Sequence, residues 1–127
     1  YGDELKALVK EKENVVFTGY VYGEKLNQLF TFAGLYVLSS YNEGFPMVLL
    51  EAMTYRLDVL VSDIPAAHLV SLNGDDYFAK GNDEELAAKM DLRMRGPQKR
   101  TYDLESFDWR KIVSRVAGIY DSLAGNP

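Results

Sequence analysis

Ser39-Ser40-Tyr41-Asn42-Glu43-Gly44-Phe45-Pro46-Met47-Val48-Leu49-Leu50-Glu51-Ala52-Met53 is the stretch on which the reading of this chain turns. Ahead of it, Leu35-Tyr36-Val37-Leu38 is a short continuous apolar run of strand length. The quoted residues then pass through small polar groups, Gly44 and Pro46 into a helical segment. Proline suits a first helical turn, because its missing N–H would have no intrahelical partner there. The first N–H groups of a helix sit unpaired at the positive end of its dipole, so this strand–loop–helix junction favours a phosphate. Gly44, without a Cβ, lets the backbone approach a ligand closely or take a left-handed conformation. Glu43 lies in the loop, and Glu51 about a turn and a half into the helix. A carboxylate is a poor phosphate ligand but a strong acceptor for sugar hydroxyls. Two glutamates around one anion-binding helix end therefore suit a ligand that combines sugar, phosphate and ribose. Taken alone, the spacing is better met by an ordinary βα loop with a solvated helix glutamate.

Outward from this stretch, helices and strands alternate. Leu5, Leu8 and Val9 predict a helix over 3–13, broken by Asn14, and Val15-Val16-Phe17 reads as a short buried strand. Thr18-Gly19-Tyr20 turns the chain into a second helix from about Glu24, closed by Gly34. Val59-Leu60-Val61 is a third strand, Ser62 to Pro65 a turn into a short helix, and Tyr77-Phe78 a fourth strand. Asn82 with Glu85 makes a capping box for the next helix. In the last helix Trp109, Ile112, Val113, Val116, Ile119, Tyr120 and Leu123 recur at three- and four-residue steps, a stripe read as core. Apolar strands alternating with amphipathic helices predict an α/β fold: a Rossmann-like three-layer sandwich with a mainly parallel sheet. Ligands of such sheets sit at the carboxyl ends of the strands, which selects the loops at 18–20, 40–45 and 62–65.

The 127 residues are one domain's worth of chain. Lys and Arg number 14 against 19 Asp and Glu, a net charge of −5 with no basic concentration, which disfavours a nucleic-acid surface. With no cysteine, disulfides, thiolate metal sites and cysteine nucleophiles are excluded, and a reducing cytoplasmic setting is compatible. No apolar run approaches bilayer-spanning length. A start on Tyr1 in mid-pattern suggests a piece of a longer chain.

The wider string resembles the signature of glycosyltransferase family 4, the retaining enzymes of GT-B fold. Glu43-Gly44-Phe45-Pro46 is followed by Glu51-Ala52-Met53, two glutamates separated by seven residues after a strand and small polar residues. Asn14 to Gly19 upstream, Val61 to Pro65 downstream and Phe107-Asp108-Trp109 before the last helix match in the same order. The resemblance implies that residues 1–127 are the nucleotide-sugar-binding, C-terminal half of a GT-B fold, truncated at its N-terminus and without the acceptor domain. Glu43, the catalytic-site residue, would hold hydroxyls of the donor sugar, and Glu51 the ribose. The backbone of Gly44 and Phe45 would face sugar and diphosphate, that of Met47 and Val48 beyond Pro46 the phosphate end, and Thr18, Gly19 and Tyr20 the base. No metal and no cofactor besides the nucleoside diphosphate sugar is implied, and no Asp-x-Asp pair is present to hold a metal–diphosphate unit.

Family members draw an Arg and a Lys from a region upstream of what matches Tyr1, so the fragment alone is expected to be inactive. An uncovered sheet edge would let it self-associate. Membrane association is expected only through the parent protein, at the inner face. Departures from the pattern are Arg56 and Asp58, where Gly and Pro are usual, and Leu69 in place of a Glu. Either Arg56 takes a strained helix-ending conformation there, or the helix ends differently. His68, the only histidine, reads as a surface or capping residue, Asp75-Asp76 as a turn, and Tyr36, Tyr41, Tyr55 and Tyr77 as packing. The competing readings are a glycoside hydrolase using both glutamates, a non-catalytic binding or assembly module, and a flavodoxin-like signalling domain.

Overall fold

The computed structural model describes residues 2–125. The chain divides into two compact units, Tyr1–Thr31 and Phe32–Pro127. The first contains α1 (Gly2–Leu8) and nearly all of α2 (Glu24–Phe32). The helix expected over 3–13 stops at Leu8 and continues as turns, with Lys12 N–H on the Val9 carbonyl at 2.8 Å. It buries none of its residues, and a short helix without a packed face is marginal. Val15-Val16-Phe17 forms no strand, contrary to the expectation, and Val16 is 79% exposed. A strand exists only through ladder bonds to another, and the rest of this unit's described chain is helix, turn and coil.

In the second unit β1 (Tyr36–Leu38), β2 (Val59–Ser62) and β3 (Tyr77–Phe78) form a parallel sheet in that order. Val37 pairs with Leu60 and Val61 with Tyr77. The sheet thus has three strands among the described residues, with the 15–17 segment absent from it. Every residue of β2 is buried, so the central strand is covered on both faces, as its unbroken apolar run requires. The cover includes α3 (Met47–Thr54) and α4 (Asp83–Met94), which both pack on β2. Leu49, Met53, Leu57, Leu60 and Phe78 lie in this core.

Two helix ends show how local sequence sets the geometry. Asn82 caps α4 by accepting the Glu85 N–H at 3.0 Å, but Glu85 turns its carboxylate to the Ala79 N–H instead of completing a capping box. At the end of α3, Arg56 has φ 61, the left-handed one of the two helix endings open at that position. The Arg56 N–H bonds the Met53 carbonyl at 3.0 Å and the Leu57 N–H bonds that of Ala52 at 3.2 Å, a complete Schellman closure built on a non-glycine residue. α5 (Trp109–Ala124) is a helix as expected, but its stripe is not core. Trp109, Val113, Ile119, Tyr120 and Leu123 are all exposed. The three- and four-residue period records that one face is apolar, not that anything covers it.

Candidate functional site

The residues from Ser39 to Pro46 connect the carboxyl end of β1 to α3. Pro46, buried, stands at the N-cap position with no side-chain cap. Its carbonyl accepts the Leu49 N–H at 2.9 Å and starts the helix. Gly44 is exposed, and a Cβ added to it would meet nothing within 4 Å. Its φ is not positive, so open space rather than a left-handed turn is what this glycine provides. The Met47 N–H donates to the Phe45 carbonyl at 2.8 Å, which leaves the Val48 end of the helix start the more open to an anion. Phe45 is tilted against Phe107 with ring centroids 5.8 Å apart. The two rings, with Met47, Leu50, Trp109 and Ile112, line an apolar hollow of about 390 Å³ beside the loop.

Glu43 and Glu51 are both half-buried. Both lie within electrostatic reach of Tyr36. Its phenol is pushed up to about 12, first by burial and then by the negative charges of Glu43 and Glu51. Both carboxylates thus act on one hydroxyl rising from the start of β1. Tyr36 is thus more than the packing residue its sequence context suggests. Ser40 was missed as well: its Oγ donates to Glu43 Oε1 at 2.6 Å. A hydroxyl three residues before the loop glutamate was the available signal.

The first unit holds the Thr18-Gly19-Tyr20 turn. Gly19 has φ 64, Thr18 Oγ1 bonds the Gly19 carbonyl at 3.2 Å, and the Tyr20 ring is 94% exposed. At the carboxyl end of β2, Asp63 N–H bonds the Phe78 carbonyl at 2.8 Å. His68, on the surface as expected, has Nε2 2.6 Å from Asp63 Oδ1 and stacks on Tyr77 with centroids 4.4 Å apart.

The opposite edge of the sheet is built differently. Asp58, just before β2, and Asp76, just before β3, are buried and share Arg93 and Arg100. Burial alone would raise the Asp76 carboxyl, but hydrogen bonds from Arg100, the Asn73 N–H and Arg93 outweigh it and hold the group below its ordinary range. Asp75-Asp76 therefore does lie in a turn, but Asp76 is also half of a buried charge cluster. Asp58, the departure from the usual proline, is its other acid. In the hollow of about 410 Å³ beside the cluster, Asp58, Asp76, Arg93 and Arg100 are already paired with one another.

A parallel sheet with helices on its strands, and a loop at its carboxyl edge leading into a helix start, define a Rossmann-like α/β domain. The profile of the glycosyl transferases group 1 family matches residues 2–103. The chain belongs to that family, a family of sugar-transferring enzymes. It is 35% identical over 72 residues to the alpha-galactosylglucosyldiacylglycerol synthase of Streptococcus pneumoniae, covering 57% of this chain and 19% of that protein. It is 36% identical over 59 residues to a Bacillus subtilis glycosyltransferase named for teichuronic acid biosynthesis, covering 46% of this chain and 15% of that one. An uncharacterized glycosyltransferase of Methanocaldococcus jannaschii is 27% identical over 131 aligned positions, covering 94% of this chain and 33% of its own length. The chain thus spans one third or less of these relatives. Among the described residues, no helix is long and apolar enough to cross a membrane.

Proposed function

We propose that this chain is the donor-binding part of a retaining GT-B glycosyltransferase of family 4, which moves a sugar from a nucleoside diphosphate to an acceptor in polysaccharide or glycoconjugate synthesis. The observation that carries this reading is the pair Glu43 and Glu51, both felt by the Tyr36 phenol, on either side of a loop-to-helix junction at the carboxyl edge of a parallel sheet. Glu43 accepts hydrogen bonds from hydroxyls of the donor sugar, and Glu51 from the ribose. The backbone of Gly44, Phe45 and Val48 meets the diphosphate, with Met47 joining once its N–H leaves the Phe45 carbonyl. Charge that grows on the leaving diphosphate is stabilised by N–H dipoles already in place, the most economical form of transition-state stabilisation. For the turn in the first unit, the same reading assigns Thr18, Gly19 and Tyr20 to the base. No metal or further cofactor is assigned a role. The acceptor belongs to a domain outside this chain, so transfer by the chain alone is not expected. The setting is cytoplasmic, with any membrane contact made by the remainder of the parent protein.

The names of the streptococcal and bacillar relatives, one a glycolipid synthase and one tied to a cell-wall polymer, support a glycoconjugate product. A non-catalytic assembly module of the same fold is the second reading, favoured by the exposed stripe of α5. Amide shifts during titration with UDP, GDP, ADP and their sugar conjugates separate the two. The donor-site reading expects saturable shifts clustered at Gly44 to Val48 with one base preferred. A folded chain showing no saturable shift with any of them contradicts it.

A further inference from the structure

Ser40 lies too far ahead of α3 to cap it: the N-cap position is Pro46, and no side chain caps there. The Ser40 hydroxyl is committed instead to the loop glutamate. Its Oγ lies 2.6 Å from Glu43 Oε1, inside the short range expected when a hydroxyl donates to an ionised carboxylate. Both residues are half-buried, and Ser40 is anchored two residues beyond the last residue of β1. A short side chain with one rotor, fixed to the end of a strand, thus grips a long side chain carried by an irregular loop. Burial and both glutamates push the Tyr36 phenol upward, so it stays neutral and adds no charge against either of them.

We propose that Ser40 is a positioning residue for Glu43: by occupying Oε1 it holds the carboxylate in one orientation and leaves Oε2 to receive the hydroxyls of the donor sugar. The inference rests on the donor-site reading above, and gives it a specificity device. A glutamate free to rotate would accept from water as readily as from a sugar, and would lose that freedom on each binding event. One already held by Ser40 loses none of it. The discrimination between a nucleotide sugar and its bare nucleotide is then set by Ser40 together with Glu43, although Ser40 touches no part of the ligand.

The test is the ratio of Kd for bare nucleotide to Kd for its sugar conjugate. It is measured by calorimetric titration of the full 127-residue chain with UDP and UDP-glucose, GDP and GDP-mannose, and ADP and ADP-glucose. Ser40→Ala is expected to lower this ratio by about 3–10-fold, the scale of one ordinary net hydrogen bond, since Ser40 acts on the sugar only through Glu43, and to leave bare nucleotide within about twofold, the noise level for a residue that touches neither base nor phosphate. Ser40→Thr, which keeps the hydroxyl, should retain the ratio. On a Glu43→Gln background, Ser40→Ala should change it no further. Ser40→Cys, with a weak S–H donor, gives the same loss in reduced form should the alanine variant fail to fold. Equal weakening of nucleotide and sugar conjugate by Ser40→Ala, or an unchanged ratio where Glu43→Gln lowers it, overturns the role of Ser40 and leaves the donor site standing. Absence of binding by the wild-type chain, or a ratio insensitive to Glu43→Gln, overturns the donor-site reading and the role of Ser40 with it.

Discussion

Replacing Arg56 by glycine should make this chain more stable, although it removes a whole side chain. Arg56 sits at φ 61, where an L-residue brings its Cβ too close to its own carbonyl oxygen. That conformation costs a non-glycine residue about 1–2 kcal/mol. It is held in place by three bonds: its own N–H to Met53 at 3.0 Å, the Leu57 N–H to Ala52 at 3.2 Å, and the Arg100 N–H to its carbonyl at 2.8 Å. All three use backbone atoms that glycine retains. The Arg56 side chain is exposed, so little packing is lost with it. Against the relief stands the greater freedom of glycine in the unfolded chain, roughly 0.5–1 kcal/mol. The balance is a gain of about 0.5–1 kcal/mol, or roughly 2–4 °C in Tm for a domain of this size. Urea titration followed by circular dichroism should show the midpoint rising with the slope unchanged, the sign of a stability change without a change in exposed surface. Arg56→Ala removes the same side chain without relieving the backbone, and should be neutral or slightly destabilising. A glycine variant no more stable than the alanine variant would refute the strain argument.

Three further outcomes follow from the buried charges and the core. Asp76→Asn strips a carboxylate that is 1% exposed from two arginines, and should cost about 3 kcal/mol, as broken buried pairs do, read as a fall in the urea midpoint. Because the folded-state Asp76 carboxyl is held below its ordinary value, its contribution is present above the unfolded pKa of about 3.9 and is lost as pH falls through the lower folded one. Tm measured from pH 6 downward should therefore fall below about pH 4, and Asp76→Asn should flatten that fall. Leu60→Ala, at a position with no exposed surface on both-face-covered β2, should cost about 2–5 kcal/mol in the same urea assay.

What could be read from the residues alone was whatever has a local period or a local partner. β1, α3, β2 and β3 are short apolar runs and helices punctuated by Gly34, Pro46 and Pro65, and each formed where its pattern lay. Arg56 was legible in part: a left-handed end was one of two outcomes open at that position, and φ 61 decides between them. The Asp58–Asp76–Arg93–Arg100 cluster was not, because its partners lie 17 to 42 residues apart and nothing local distinguishes Arg93 from a solvated helix charge. Val15-Val16-Phe17 has the composition of a strand, but pairing is a property of two segments. The stripe of α5 fails as a core prediction for a related reason: amphipathicity states which face would be buried and is silent on burial itself. In the candidate site, the two glutamates were legible through the wider string that resembles a family signature rather than through their spacing alone, whereas the Ser40 bond to Glu43 and the reach of both glutamates to Tyr36 are properties of the folded loop.

The most direct test of the account compares Glu43→Gln with Glu51→Ala in titrations of one nucleotide and its sugar conjugate. Glu51→Ala should weaken bare nucleotide by about 1–3 kcal/mol, the worth of a hydrogen bond to a charged group, and the conjugate by the same amount. Glu43→Gln should leave bare nucleotide unchanged and weaken only the conjugate. Equal losses of bare nucleotide in both variants, or none in either, would contradict the division of sugar and ribose between these two glutamates.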